Sequence, residues 1–206
     1  MKRFLLLASF AALSTFSLQA QVFTDTFESY SAPSGGLTSV ATPNAFGSWN
    51  VTAGSIEILN SYAGLDCHSG THCIDMDGAT NSAGTITRSF AVTAGTQYTL
   101  TYWFRGNERS GSDSMTVSIG STSITHTAIP STQGYTLQTL VWTAPTTGTG
   151  TVTFAHAGGD NIGILLDDVT VSGPVGTPTL SEWGMLSLAA MLVMFGAYKV
   201  KVRATA

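Results

Sequence analysis

The stretch between residues 21 and 173 contains no lysine, and its only cations are Arg88, Arg105 and Arg109. Eleven acidic residues give this stretch a formal net charge of −8, whereas the whole 206-residue chain carries only −4. The remaining cations lie near the two ends of the chain: Lys2, Arg3, Lys199, Lys201 and Arg203. An acidic segment without lysine argues against nucleic acid and anionic lipid as partners. It is compatible with neutral glycans and with divalent cations.

The sequence also lacks the motifs of common enzyme classes. No Ser/His/Asp order stands out, and neither a phosphate-binding glycine motif nor a nucleotide fingerprint is present. Asp75 and Asp77 flank Met76, and paired carboxylates can be the acid and base of a glycosidase. More often such a pair belongs to a turn, as Asp77-Gly78 indicates, or accepts hydrogen bonds from backbone amides. We therefore expect a protein that is not an enzyme.

No stretch before residue 180 carries the apolar stripe of an amphipathic helix. Short runs of β-branched and aromatic residues instead alternate with polar ones between glycine-rich turns. Predicted strands are Val22–Phe27, Trp49–Leu59, Thr85–Val92, Gln97–Phe104, Ser114–Ile119, Tyr135–Trp142, Gly150–Phe154 and Ile164–Val171. About eight strands at this spacing predict an all-β sandwich of two antiparallel sheets. In the strand at residues 97–104, Tyr98, Leu100, Tyr102 and Phe104 should face one side, and Thr99, Thr101 and Trp103 the other.

The N-terminal segment, residues 1–20, is typical of a secretory signal peptide. Lys2-Arg3 precedes an apolar run from Phe4 to Phe16, and Leu18-Gln19-Ala20 follows as a cleavage region. Cleavage after Ala20 would leave a β-sandwich ectodomain at residues 21–173. A permanent N-terminal anchor is the alternative. In either case the middle of the chain is expected outside the cytoplasmic membrane.

The C-terminal segment combines an apolar run with a basic tail. Gly184 to Tyr198 carries no charge, and Lys199, Lys201 and Arg203 follow at once. Cations directly after an apolar helix predict a membrane span with its tail in the cytoplasm. Fifteen helical residues reach about 22 Å, short of the roughly 30 Å hydrocarbon core. We therefore predict one marginal transmembrane helix.

The residues before this helix, Thr177-Pro178-Thr179-Leu180-Ser181-Glu182-Trp183-Gly184, resemble the bacterial IPTL-CTERM sorting domain. The family usually has isoleucine where this chain has Thr177. The resemblance covers residues 178–206 and leaves residues 174–177 as a linker. It implies that an exosortase-like membrane transpeptidase cleaves near the motif and transfers the protein to the cell surface or extracellular matrix. A simple tail anchor is the alternative.

The chain has two cysteines, Cys67 and Cys73, which enclose His68 and His72. In an exported protein a close pair of cysteines predicts a disulfide. Metal binding by these four residues is the alternative, although all four crowd into one short loop. Free thiols are the third alternative.

The order of motifs between the two terminal signals is similar to that of DUF642-like or choice-of-anchor exported domains. The motifs are Thr26-Phe27-Glu28-Ser29, Ser48-Trp49-Asn50-Val51, Ile74-Asp75-Met76-Asp77-Gly78, Gly84-Thr85-Ile86-Thr87-Arg88-Ser89-Phe90, Gly95-Thr96-Gln97-Tyr98-Thr99-Leu100 and Leu166-Asp167-Asp168-Val169. These domains resemble galactose-binding-like carbohydrate-binding modules. The resemblance implies a jelly-roll sandwich and, in many relatives, a structural calcium ion where the first strand meets the last.

Carboxylates lie where that calcium ion is expected. Ca²⁺ takes six to eight oxygen ligands from carboxylates, carbonyls and water. Glu28 ends the first predicted strand, and Asp167 and Asp168 lie in the last. Because successive strand residues face opposite sides, only one aspartate should join the site, and the resemblance favours Asp168. The alternative is that these are ordinary solvated carboxylates.

Surface aromatics with nearby polar groups are typical of sugar sites, because a pyranose face stacks on a ring. Trp103 and Trp142 are the candidate platforms, and Asn107 and Arg105 are candidate hydrogen-bonding partners. We expect an exported, surface-sorted protein that binds carbohydrate or another extracellular matrix polymer. One alternative is a purely structural matrix or adhesion protein without a defined small ligand. A glycoside-active enzyme is the least favoured alternative.

Overall fold

The computed structural model describes residues 19–79, 81–174, 184 and 186–193. Most of the predicted signal peptide, the linker after Pro174 and nearly all of the sorting motif and basic tail lie outside the described residues. Residues 184 and 186–193 are helical, and no described helix has the length and hydropathy needed to cross a membrane. The chain divides into two compact units, Met1–Pro174 and Val175–Ala206.

The described residues of the first unit form thirteen strands. A short 3₁₀ helix, Tyr62–Gly64, follows the fifth strand. The strands are β1 Gln19–Asp25, β2 Gly36–Ala41, β3 Ala45–Phe46, β4 Trp49–Ala53, β5 Ser55–Asn60, β6 His72–Asp75, β7 Thr85–Val92, β8 Gln97–Arg105, β9 Ser112–Ile119, β10 Thr122–Pro130, β11 Thr136–Thr143, β12 Gly148–Ala157 and β13 Leu165–Pro174.

The strands form two antiparallel sheets that pack as a sandwich. The seven-stranded sheet has the order β11-β8-β13-β6-β5-β2, with β1 also pairing with β13. The six-stranded sheet has the order β10-β9-β12-β7-β4-β3. The predicted all-β sandwich is therefore confirmed, and the predicted neighbourhood of the first and last strands is found as the β1–β13 ladder.

The core between the sheets follows the alternation of the strands. In β8, Tyr98, Leu100 and Tyr102 are buried, while Thr99 and Thr101 are only partly covered. Burying one large apolar side chain contributes about 1.5–3 kcal/mol, so this pattern fixes which face of β8 points inward. The face assignment made from the sequence is confirmed for these residues.

The predicted strand at residues 49–59 is wrong, because it is two strands in different sheets. β4 belongs to the six-stranded sheet and β5 to the seven-stranded sheet. Gly54 lies between them with a φ of +55°, and a Cβ atom there would lie 2.2 Å from the carbonyl oxygen of Ser82. A glycine is needed at this crossing because it alone tolerates both the left-handed backbone and the close approach.

The predicted number of about eight strands is also too low. Four strands lack a sequence-based counterpart: β2, β3, β6 and β10. β3 has two residues, β6 has four, and β10 buries few of its side chains. Segments this short, or this polar on both faces, carry too little alternation to be recognised.

The outer face of the six-stranded sheet carries rows of hydroxyl side chains, and we call it the hydroxyl face. Cross-strand neighbours include Thr153 with Thr87 and Ser118, and Thr116 with Thr125. The face consists mainly of Thr85, Thr87, Ser89, Ser114, Thr116, Ser118, Ser123, Thr125, Thr151 and Thr153, which are partly or fully exposed. These ten side chains carry no charge and no aromatic ring.

The outer face of the seven-stranded sheet is partly covered by a second, smaller core. Leu59, Leu65, Cys73 and Leu165 are buried together there. This cover explains why Ser55–Leu59 in β5 is buried at every position and does not alternate. Residues 67–73, which we call the disulfide loop, are part of the cover.

Candidate functional site

The candidate site lies where β13 changes its neighbour. On one side, Leu165 and Leu166 pair with β6, and β1 pairs with β13 from Val169 onward. Asp167 and Asp168 occupy the junction between these two ladders. The register with β8 shifts here, and Asp168 adopts a φ of +47°, so β13 bulges at this point. The disulfide loop contacts both aspartates.

The disulfide between Cys67 and Cys73 closes this loop, with the two Cα atoms 5.4 Å apart. The predicted disulfide is confirmed. Metal binding through the two thiolates is excluded, because each sulfur is bonded to the other.

Glu28 binds one side of the disulfide loop. Its Oε1 atom accepts hydrogen bonds from the backbone N–H groups of Thr71 (2.8 Å) and His72 (2.7 Å). Its Oε2 atom lies 3.1 Å from Nδ1 of His72. Burial acts to raise the pKa of Glu28, but the hydrogen bonds from His72 and Thr71 outweigh it and hold this pKa below its usual value. Glu28 is therefore ionised and holds the loop through these hydrogen bonds, and we call this contact the Glu28 clamp.

Asp167 and Asp168 bind the other side of the loop. Oδ2 of Asp168 lies 2.6 Å from Nδ1 of His68, and Oδ1 accepts a hydrogen bond from the Ser69 hydroxyl at 2.7 Å. Oδ2 of Asp167 accepts the backbone N–H of Ser69 at 3.0 Å. Burial raises the pKa of Asp167 to about 7, although N–H donors from Ser69 and Asp168 oppose the shift.

The premise that Asp167 and Asp168 face opposite sides is wrong, whereas which of them would bind calcium stays a prediction. Both side chains contact Ser69, because the left-handed backbone of Asp168 interrupts the alternation of the strand. The sequence argument assumed a regular strand through these residues.

The calcium ligands predicted from the sequence, Glu28 and Asp168, contact the same loop. Their carboxylate oxygens accept hydrogen bonds from the loop or lie against its histidines. The described residues contain no group of three or more His, Cys, Asp or Glu side chains arranged to hold a metal. The side chains alone therefore do not form a ligand set here, and bound calcium stays a prediction.

Aromatic rings gather where the disulfide loop lies on the sheet. The ring of His68 stacks on Trp103 with centroids 3.9 Å apart and planes 16° apart. The ring of Tyr135 meets His68 edge-on at 5.3 Å. The guanidinium group of Arg105 lies 5.2 Å from the Tyr135 ring centroid. We call His68, Trp103, Arg105 and Tyr135 the loop cluster.

Two polar atoms of the loop cluster have no well-formed hydrogen bond to any residue that the structure describes. They are the hydroxyl of Tyr135 and Nε of Arg105, and both are buried. The other Arg105 nitrogens are engaged, since Nη2 pairs with Glu108 and Nη1 donates to the carbonyl of Asp66 at 3.4 Å. Burial raises the pKa of Tyr135, although Arg105 and the nearby backbone N–H of His68 oppose the rise, so its hydroxyl stays protonated at neutral pH. A buried polar atom left unpaired costs about 1–3 kcal/mol of folding free energy. The two atoms therefore mark a place where a ligand could supply the missing hydrogen bonds.

The sequence-predicted ligand residues separate into two groups. Trp103 and Arg105 meet in the loop cluster. Trp142 is instead buried in the core, with its ring 6.2 Å from that of Tyr98. A Cβ atom on Gly120 would lie 2.1 Å from the Trp142 ring, so the glycine permits this packing.

Asn107 is also buried, and its side chain organises the β8–β9 connection. Its Nδ2 atom donates to Asp113 at 2.9 Å, and its Oδ1 atom accepts the backbone N–H groups of Arg109 (2.7 Å) and Ser110 (3.1 Å). These contacts give Asn107 a structural role in the described fold.

Sequence reasoning missed His68 as a member of the site. It treated this residue only as part of the cysteine loop. A histidine ring inside a loop closed by a disulfide could have indicated a binding residue. Its partners Trp103 and Tyr135 lie on β8 and just before β11, so the cluster exists only after the loop is placed on the sheet.

Asp75 and Asp77 act as acceptors for backbone amides. Oδ1 of Asp75 accepts the N–H groups of Asp77 (3.0 Å) and Gly163 (2.9 Å). Oδ2 of Asp77 accepts those of Gly159 (2.6 Å) and Asp160 (3.1 Å). This is the turn-stabilising alternative that the sequence favours over a glycosidase pair.

Comparison with protein families identifies a family for most of this chain. The family described as "Protein of unknown function (DUF642)" matches residues 23–172. No curated protein sequence matches the chain significantly.

Several solved structures are similar to this chain at low sequence identity. The K3 cleaved adhesin domain of Lys-gingipain from Porphyromonas gingivalis is 18% identical, with a TM-score of 0.46, and the match covers 75% of this chain and 98% of that domain. TmCBM61, solved in complex with β-1,4-galactotriose, is 15% identical, with a TM-score of 0.47. The match covers 60% of this chain and 86% of the TmCBM61 chain. The CBM22-1-GH10 modules of endo-1,4-β-D-xylanase 10B from Clostridium thermocellum, complexed with xylohexaose, are 13% identical, with a TM-score of 0.46. That match covers 77% of this chain and 29% of the xylanase chain.

Proposed function

The chain belongs to the DUF642 family, whose description assigns no function, and we propose from its own geometry that it binds neutral polysaccharide at the loop cluster without catalysing a reaction. The observation that carries the proposal is the pair of unpaired polar atoms, the Tyr135 hydroxyl and Arg105 Nε, beside the stacked rings of His68 and Trp103.

The chemistry of the cluster suits a sugar. The C–H face of a pyranose packs on aromatic rings, and its hydroxyl groups accept and donate hydrogen bonds at the ring edge. Both atoms are buried in the unbound protein, so a sugar hydroxyl can hydrogen-bond to Arg105 Nε and the Tyr135 hydroxyl only after a side chain of the loop cluster turns aside. Among the described residues neither atom has a well-formed hydrogen bond, so a sugar that reaches them displaces at most the nearby backbone N–H of His68 from the Tyr135 hydroxyl.

The rigidity of the disulfide loop supports the same proposal. The loop is fixed by a covalent bond, by the Glu28 clamp and by the two aspartates of β13. A site that is ordered before binding loses less conformational entropy when a ligand arrives. The net charge of −8 over residues 21–173 selects against anionic polymers, which leaves neutral glycans as the favoured class.

The test is isothermal titration with soluble xylan, β-1,4-galactan and mixed-linkage β-glucan. Tyr135→Phe removes one hydroxyl and keeps the ring, so we expect about a tenfold weaker affinity, equivalent to about 1.4 kcal/mol. Trp103→Ala should abolish binding, and Tyr62→Phe, in the second core, is the matched control. Absence of saturable binding to all three polymers by a folded protein, or full affinity of Tyr135→Phe, would refute the proposal.

A second candidate function is a structural matrix or adhesion protein without a defined small ligand. The hydroxyl face favours it, because its ten uncharged side chains offer a broad contact area. Failure of all three polymers to bind, with an intact thermal transition, would move the assignment to this function.

We also propose that the protein is exported and sorted at its C-terminus. The disulfide supports export, because such bonds persist in oxidising compartments. The sequence of residues 178–206 supports processing by an exosortase-like enzyme at the cell surface. Mass spectrometry of the mature protein from its bacterial host tests both steps, and an intact Met1 or an intact C-terminal tail would contradict the corresponding step.

A further inference from the structure

The edge strands of the two sheets differ in how well they are protected from pairing with another chain. β3 is only two residues long, and five of the six β2 residues are partly covered, so β2 offers no large exposed apolar side chain. β10 is interrupted by a register shift between His126 and Ile129, where Ala128 adopts a φ of +52°, and it ends at Pro130. Short strands, bulges and proline are the devices that keep sheet edges from associating.

β11 has none of these devices. Its eight residues, Thr136–Thr143, pair with β8 without a register break and include no charge, proline or glycine. β8 is the one strand with which β11 pairs in the described part of the chain. The Thr139 carbonyl accepts a hydrogen bond from the Gln138 side-chain amide at 3.0 Å, so this carbonyl is accessible to a donor outside the ladder.

The exposed face of β11 also carries two large apolar side chains. Leu137 is 50% exposed and Val141 is 45% exposed. The other large hydrophobic side chain exposed in the described part of the sandwich is Val22, at 40% on β1. Leu137 and Val141 lie on the same face because they are four residues apart in a strand.

From these observations we propose that β11 pairs antiparallel with β11 of a second copy of this chain, with the two-fold axis at Thr139. In this register Leu137 lies opposite Val141 of the partner subunit, and the same contact occurs again on the other side of the axis. The two seven-stranded sheets then become one continuous sheet.

The self-complementary pattern is what identifies the partner as a second copy. A two-fold interface requires that the same strand supply both halves of each contact. The apolar pair at positions 137 and 141 is symmetric about Thr139, and each cross-strand apolar pair adds about 0.2–1 kcal/mol beyond the new backbone hydrogen bonds. The strand carries no charge, so two acidic molecules can approach through it with little repulsion.

The dimer has a consequence for binding. Leu137 pairs with Trp103 in the β11–β8 ladder, so each loop cluster lies close to the dimer axis on the same sheet face. Two clusters on one face would bind a long polymer with increased avidity. This consequence rests on the proposed function, whereas the dimer itself does not.

The primary test is cysteine cross-linking of the full chain. Thr139→Cys places one thiol at the axis, and we expect a disulfide-linked dimer on a non-reducing gel after mild oxidation. Thr125→Cys, at an exposed position on the bulged edge strand β10, is the matched control. Cross-linking of the two variants to the same extent would overturn the proposal.

A charge exchange then tests the register with the Thr139→Cys chain as the reporter. Leu137→Lys alone or Val141→Glu alone should reduce the cross-linked fraction at least tenfold, because each places a charge against an apolar side chain. The two substitutions combined in one chain place opposite charges across the axis and should restore cross-linking. Restoration also shows that the substituted chain folds, and failure to restore in a chain with a normal thermal transition would overturn this register.

Discussion

Substitution of Asp25 should destabilise the sandwich more than substitution of any solvent-exposed aspartate. Asp25 ends β1 and is buried. Its Oδ2 atom accepts hydrogen bonds from the Tyr30 hydroxyl (2.5 Å), Trp49 Nε1 (2.9 Å) and Arg88 Nη1 (3.0 Å). Its Oδ1 atom accepts the backbone N–H of Phe27 at 3.0 Å. One carboxylate therefore joins β1, β4 and β7, which belong to both sheets.

The expected cost can be worked out from these contacts. Asp25→Ala leaves the indole N–H of the fully buried Trp49 without its acceptor and the partly buried Arg88 without its counter-charge. Removing one partner of a buried ion pair costs about 3–5 kcal/mol, so we expect about 4 kcal/mol. At about 2–4 °C per kcal/mol for a domain of this size, the melting temperature should fall by about 12 °C.

The assay is equilibrium unfolding in urea, followed by tryptophan fluorescence, together with a thermal melt. Asp160→Ala is the matched control, because Asp160 is exposed and its side chain accepts the N–H of Ile162 within its own loop. The control should change the free energy of unfolding by less than about 1 kcal/mol. A cost for Asp25→Ala as small as that of the control would show that the network contributes little, and the reasoning would be wrong.

Two further predictions concern charge and metal. Burial raises the pKa of Asp75 from its usual 3.8 to about 7, against the opposing effects of the Asp77 N–H and Arg109, so the folded state holds a proton that the unfolded state releases in this range. The free energy of unfolding should therefore decrease as pH rises from about 4 to 7. Asp167, whose pKa burial also raises to about 7, adds to the same slope, so Asp75→Asn should reduce the dependence of the melting temperature on pH without abolishing it. An equal slope in both proteins would exclude Asp75 as a cause. The calcium prediction is that excess chelator lowers the melting temperature. Glu28→Gln should have the same melting temperature with and without chelator. An unchanged melting temperature of the parent protein in chelator would contradict the prediction.

Local periodicity and composition were enough to predict several features of this protein. Alternation in the strand at residues 97–104 was sufficient to predict its buried face, because side chains alternate in any strand whatever its neighbours. The close cysteine pair in a chain with a signal-like start was sufficient to predict the disulfide. The lack of lysine and the excess of acidic residues limited the classes of partner, because net charge depends on composition and not on how the chain folds.

The meeting of distant segments, in contrast, depends on the packing of the whole chain. The break at Gly54 depends on the carbonyl of Ser82, which a neighbouring loop brings near. The bulge at Asp168 depends on two different strands sharing one side of β13, so both aspartates reach Ser69 although regular alternation forbids it. The different positions of Trp103 and Trp142 could not be predicted from the sequence either, because both tryptophans lie in predicted strands. The place of each strand in the sandwich decides which ring contacts the disulfide loop. Local chain geometry fixes which side chains share a face, and only tertiary packing fixes what that face contacts.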